Sequence, residues 1–117
     1  MFAENDPLDI WLLYSYIMAS MKFRIIFAPE AAQDFRALSA RDRGLVRDGI
    51  NAHLGAQPDK VSKSRIKRLR DLIQPQYRLR IGDIRVYYDL EGYDVLVLGI
   101  VTKADSEKWL TARGTPQ

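Results

Sequence analysis

Residues 76–90 read QYRLRIGDIRVYYDL. Two short alternating runs flank Gly82-Asp83, a glycine-first pair of the kind that suits a two-residue hairpin loop. With that loop, Arg80 lies directly across from Arg85, and Arg78 across from Tyr87. Like charges placed opposite each other on antiparallel strands cost stability. A chain that keeps such a pair can be keeping it for an anion. The same parity sends Tyr77 and Tyr88 to the other face, as core.

Upstream, Phe23, Ile25 and Phe27 alternate on one face of a first strand. Pro29-Glu30 then opens a helix, with Ala31, Phe35 and Leu38 as its buried stripe. Ser39 followed by Asp42 resembles a capping box and starts a second helix. Its apolar face is Leu45, Val46, Ile50 and Leu54, and Gly55 and Pro58 end it. The connection between the two helices is short enough to force an antiparallel pair. His53, near the apolar face of the second helix, reads as a packing residue. Residues 56–76 are polar and basic, pinned by Ile66, Leu69, Leu72 and Ile73, and a short helix fits residues 62–73.

Downstream, a second turn around Glu91-Gly92-Tyr93 leads to residues 95–101, VLVLGIV, an apolar run that suits a strand covered on both faces. Thr102 or Asp105 caps a last helix anchored by Trp109 and Leu110, and residues 114–117 form a tail expected to fray. The expected fold is α+β: an antiparallel-rich four-stranded sheet, an N-terminal helical hairpin packed on one face, and a short C-terminal helix.

The 117 residues make one domain, 47% hydrophobic and 28% charged, as in an ordinary globular protein. With no cysteine, disulfides, thiolate catalysis and cysteine-ligated metals are excluded. One histidine rules out a His-rich metal site and a His–His acid–base pair, and neither a metal nor a cofactor is expected. The net charge of +3 hides an asymmetry, because residues 1–20 hold Glu4, Asp6 and Asp9 but none of the 18 basic residues. The basics concentrate at Lys60, Lys63, Arg65, Lys67, Arg68, Arg70, Arg78, Arg80 and Arg85, a focus able to attract a polyanion. Residues 10–19 are apolar, but about half the roughly 20 needed to span a membrane, and no basic residue precedes them. Residues 1–20 are a covering helix, a loose arm, or the product of a start assigned too early. The last is the preferred reading, since Met21 opens a natural first strand; a chain beginning there is expected to fold, with the domain spanning 21–113.

The order of elements, the hairpin YRLRIGDIRVYYDL and the strand VLVLGIVTK resemble the RelE/ParE toxin superfamily over residues 21–112. The resemblance implies the toxin half of a bacterial type II toxin–antitoxin pair, acting in the cytoplasm, with a cognate antitoxin as partner and no membrane. It implies one of two activities: ribosome-dependent cleavage of messenger RNA, or inhibition of DNA gyrase in the manner of ParE. An attenuated toxin that mainly binds its antitoxin is a further alternative.

By the same resemblance, Arg78, Arg80, Arg85 and Lys103 are the candidate catalytic residues, and Tyr87 joins them as the available hydroxyl on the same expected hairpin face. Lys63, Arg65, Lys67, Arg68 and Arg70 are the candidates for nucleic-acid binding. Cleaving RNA through its 2′-hydroxyl needs a base, cations around the phosphate and an acid for the leaving oxygen. Arginine stays protonated, so Arg78 and Arg80 clamp a phosphate better than they move a proton. Where the endonucleases carry a C-terminal catalytic tyrosine, this chain has Trp109 and Leu110. Lys103 and Tyr87 remain as possible proton carriers. Trp109 reads as a helix anchor, and the hairpin as better built to hold an anion than to cut one.

Overall fold

The computed structural model describes residues 23–117; the expectations for residues 1–20 lie outside them. In chain order the elements are β1 (Arg24–Phe27), α1 (Pro29–Ala37), α2 (Ala40–Leu54), β2 (Ile66–Arg68) and β3 (Leu72–Gln74). β4 (Tyr77–Ile81), β5 (Ile84–Glu91), β6 (Asp94–Thr102), α3 (Lys103–Arg113) and β7 (Thr115–Pro116) follow.

The hairpin forms in the expected register. Arg80 pairs with Arg85, Arg78 with Tyr87, and Leu79 with Val86. Gly82 has φ +57° and Asp83 a negative φ, the combination a type II′ turn requires at its two central positions. Gly92, at φ +58°, plays the same part between β5 and β6. The two N-caps are also as expected. Ser39 Oγ accepts from the Asp42 N–H at 3.1 Å, and Thr102 Oγ1 accepts from the Asp105 N–H at 3.3 Å.

The α+β class holds, but the sheet differs from the expected four-stranded one. It has five strands in the order β1-β6-β5-β4-β2. β1 runs parallel to β6, with Ile25 beside Val95, which makes the sheet mixed. β2 is the extra strand, antiparallel to β4, with Lys67 across from Arg78. It was missed because three residues inside a basic segment are too few to show an alternation. The short helix fitted to residues 62–73 is replaced by β2 and β3, because cross-strand pairing, of β2 with β4 and of β3 with β7, decides a segment whose own periodicity is weak. Part of the tail is held as well: Thr115–Pro116 forms β7 on β3.

One face of the sheet carries the core. Ile25, Leu79, Val86, Tyr88, Val95 and Val97 pack there against Ala31 and Phe35 of α1 and Val46, Ile50 and Leu54 of α2. Each buried aliphatic side chain stabilises by about 1.5–3 kcal/mol relative to exposure. Tyr77 and Tyr88 lie on this face as expected, stacked at 5.4 Å. The Tyr88 hydroxyl donates to the Pro58 carbonyl at 2.5 Å, tying the loop after α2 to the sheet. Burial pushes that phenol well above the usual tyrosine range, with Tyr77 and Asp59 adding to the effect. α1 is tied to β6 by Asp34, whose carboxylate accepts from the Ile100 N–H at 3.0 Å. With both helices on one face, the other is left to α3 and to charged side chains.

Candidate functional site

The second face of the β4–β5 hairpin presents Arg78, Arg80, Arg85, Tyr87 and Asp89. Cross-strand pairing arranges it in layers. One runs Lys67, Arg78, Tyr87, Gly99 and the next runs Arg80, Arg85, Val101. Directly paired residues share a face and hold their Cβ atoms about 5 Å apart. Lys67 therefore stands beside Arg78.

The cations of this face are not equivalent. Arg85 is only 7% exposed, and its Nη1 donates to the Gly82 carbonyl at 2.8 Å and to the Ile84 carbonyl at 3.2 Å. The residue that looked awkward beside Arg80 is thus partly engaged in bracing the turn. Arg80 is exposed. Arg78 is half-buried, and its Nε is buried without a hydrogen-bond partner. Burial lowers the Arg78 guanidinium below the usual arginine range; Arg85 and Arg80 push the same way and Tyr87 opposes them. A desolvated cation beside two others, with a donor unused, is an arrangement an arriving anion relieves.

The carboxylate on this face does not supply that anion. Asp89, also 7% exposed, accepts from Gln74 Nε2 at 2.6 Å and from the Gln76 N–H at 2.7 Å. Gln76 Oε1 in turn accepts from the Leu90 N–H at 2.9 Å. These bonds set the entry into β4 just before Arg78. Among the described residues no ion pair joins an acid to Arg78, Arg80 or Arg85.

Tyr87 is 2% exposed, and its ring stacks on Trp109 of α3 at 4.8 Å with an 8° interplanar angle. Trp109 covers Gly99, where a side chain would strike the indole. The tryptophan is thus both the anchor expected and a lid on Tyr87. Lys103 begins α3 beside the hairpin turn, its N–H donating to the Asp83 carbonyl at 2.7 Å, and it is exposed.

The basic segment divides. Lys67 joins the open face. The Arg68 guanidinium lies 4.9 Å above the Tyr77 ring, on the helix side of the sheet. Arg65 lines a cavity with His53. Lys63 is exposed in the preceding loop and Arg70 in the bend before β3. The partnership of Lys67 with Arg78 was invisible in the sequence because β2 was. No cluster of three or more His, Asp or Glu able to hold a metal ion occurs among the described residues. Nor is any helix there long and apolar enough to cross a membrane.

No family model matches the sequence, and no curated protein does. Solved structures do match. A chain of the RelBE2 toxin–antitoxin complex of Mycobacterium tuberculosis aligns with TM-score 0.57 and 21% identity, over 69% of this chain and 98% of that one. The fold is RelE-like. A chain of the RelB–RelE antitoxin–toxin complex of Methanococcus jannaschii aligns with TM-score 0.55 and 15% identity, over 72% of this chain and 96% of that one. Identities this low speak for the fold and leave function to the site. On this RelE-like fold the hairpin presents arginines, and the lysine paired directly with Arg78 comes from the edge strand.

Proposed function

We propose that this chain is the toxin of a toxin–antitoxin pair and that it cleaves messenger RNA on the ribosome. The observation that carries the reading is Arg78, a desolvated guanidinium with an unused donor and two cationic neighbours. The RelE-like fold supports it. In this reading Arg78 and Arg80 grip the non-bridging oxygens of the scissile phosphate, and Arg85 keeps the hairpin tip in shape for them.

The 2′-hydroxyl gives its proton to a base as its oxygen attacks phosphorus. The P–O5′ bond breaks, and an acid protonates the leaving oxygen. Arginines cannot take these parts, so they fall to the lysines, Lys67 beside Arg78 and Lys103 beside the turn. Tyr87, under Trp109, acts by steadying Arg78. The ribosome as target implies the cytoplasm. An antitoxin segment that lays acidic groups on this face neutralises the toxin.

A second reading, a ParE-like inhibitor of DNA gyrase that cleaves nothing, is favoured by the arginine-only hairpin and by the covered Tyr87. Primer extension on cellular messages after induction separates the two. The first reading expects codon-phased cuts within minutes. Intact messages together with DNA-damage signalling would establish the second instead.

A further inference from the structure

A cavity lies beside β2, the edge strand of the sheet. It has a volume of about 400 Å3 and is formed where the end of α2 meets the loop leading into β2. That volume lies within the range of small-molecule sites, roughly 300–1,000 Å3. Its lining includes His53, Lys60, Arg65, Ser64 and, on the apolar side, Ala52 and Ile66. Every ionisable side chain of that lining is basic. Burial first, and then the Arg65 guanidinium, hold the His53 imidazole below the usual histidine range. The loop is built rather than loose: Ser62 Oγ accepts from the Arg65 N–H at 3.0 Å and from the Ile66 N–H at 3.2 Å. Tyr88 holds its other end at Pro58.

We propose that this cavity binds the phosphate of a nucleotide, gripped by His53, Lys60 and Arg65, with Ala52 and Ile66 offering apolar surface to the attached nucleoside. Three cationic or proton-donating groups and the Ser64 hydroxyl suit a tetrahedral oxyanion, which accepts from several directions. The cavity is also connected to the arginine face. The Arg80 N–H donates to the Arg65 carbonyl at 2.8 Å, so the two cation groups meet across one backbone hydrogen bond at the β2 edge. A strand of RNA passing over that edge places one phosphate at Arg78 and a neighbouring nucleotide in the cavity. That last step rests on the RNA reading above; the phosphate site itself does not.

His53 is the chain's single histidine, so its imidazole proton signals can be followed without ambiguity. The full-length protein is titrated with pH by NMR, alone and with inorganic phosphate, adenosine 5′-monophosphate, adenosine or hexaglutamate. Phosphate and the nucleotide are expected to raise the His53 midpoint, because the bound anion favours imidazolium, and adenosine is expected to leave it in place. Lys60→Ser and Arg65→Ser should each weaken the nucleotide by about tenfold, the loss of one charge-assisted hydrogen bond. Arg65→Ser should also raise the midpoint of the free protein, since it removes a neighbouring cation. Arg78→Met should leave the nucleotide-induced shift unchanged.

The proposal is overturned by a midpoint that no phosphate moves, or by a response that survives both serine variants. A response lost with Arg78→Met overturns it too, since the phosphate would then sit on the other face. A larger response to hexaglutamate than to the nucleotide would reassign the cavity to an acidic protein segment. None of these outcomes depends on whether RNA is cut.

Discussion

Arg78→Met is expected, on the proposed reading as a message-cleaving toxin, to remove growth inhibition and message cleavage, with cleavage falling by about a hundredfold or more, the cost of removing one preorganised donor to a transition-state oxyanion. The same substitution should raise stability. Methionine keeps the apolar length of the stem while removing a half-buried charge that faces Arg85 and Arg80 and whose Nε has no partner. Because the guanidinium retains solvent access, the gain is at most about 1 kcal/mol. The two readouts together are the test. A residue kept for packing loses stability when replaced, whereas one kept for an anion loses function and relaxes the fold. Urea unfolding beside a plate assay measures both, and a destabilised but fully toxic variant would remove Arg78 from the site.

Gly99→Ala should be the most damaging single-methyl change in the sheet. An added Cβ would stand 2.5 Å from Cε2 and 2.8 Å from Nε1 of Trp109, and would also meet Cζ2. Gly99 lies on an interior strand across from Tyr87, so its backbone has little room to yield. The indole must leave instead. α3 buries no side chain completely and is held largely through Trp109 and the half-buried Leu110. Losing that stack uncovers Tyr87 and frees α3, at a cost of about 3 kcal/mol, the upper end of overpacking penalties. The control is a double-mutant cycle with Trp109→Ala. In that background Gly99→Ala should cost no more than about 1 kcal/mol, giving a coupling of about 2–3 kcal/mol, whereas additive losses would place the strain elsewhere.

The hairpin shows what local chemistry makes legible. Gly82-Asp83 and the flanking alternation determine the register, and with it which arginines share a face. The helix starts were equally readable, because a cap is a contact between residues three apart. β2 was not readable. Its three residues owe their conformation to β4, and that pairing makes Lys67 the neighbour of Arg78. Nor was the parallel pairing of β1 with β6 foreseen, since it joins distant segments.

The shared face of the candidate residues was legible; their individual surroundings were not. Arg78, Arg80, Arg85 and Tyr87 do share a face, yet Arg85 braces a turn and Tyr87 lies under Trp109. Those duties depend on α3 and the turn carbonyls, which no spacing reveals. His53 read as packing because helical periodicity places it near an apolar stripe. The cavity beside it comes from a loop whose course is set by the Tyr88–Pro58 bond and the Ser62 hydroxyl.

The central claim is that the face built from Lys67, Arg78 and Arg80 holds nucleic-acid phosphate. The salt dependence of affinity for a non-cleavable, 2′-deoxy-substituted RNA oligonucleotide tests it most directly. For a single strand, each phosphate contact contributes a slope of about −0.7 in log K against log salt. Lys67→Ala, Arg78→Met and Arg80→Ala should therefore each flatten the wild-type slope by roughly that amount, while Lys108→Ala, on the exposed side of α3, leaves it unchanged. Identical slopes for the wild type and all three variants of the face would contradict the account.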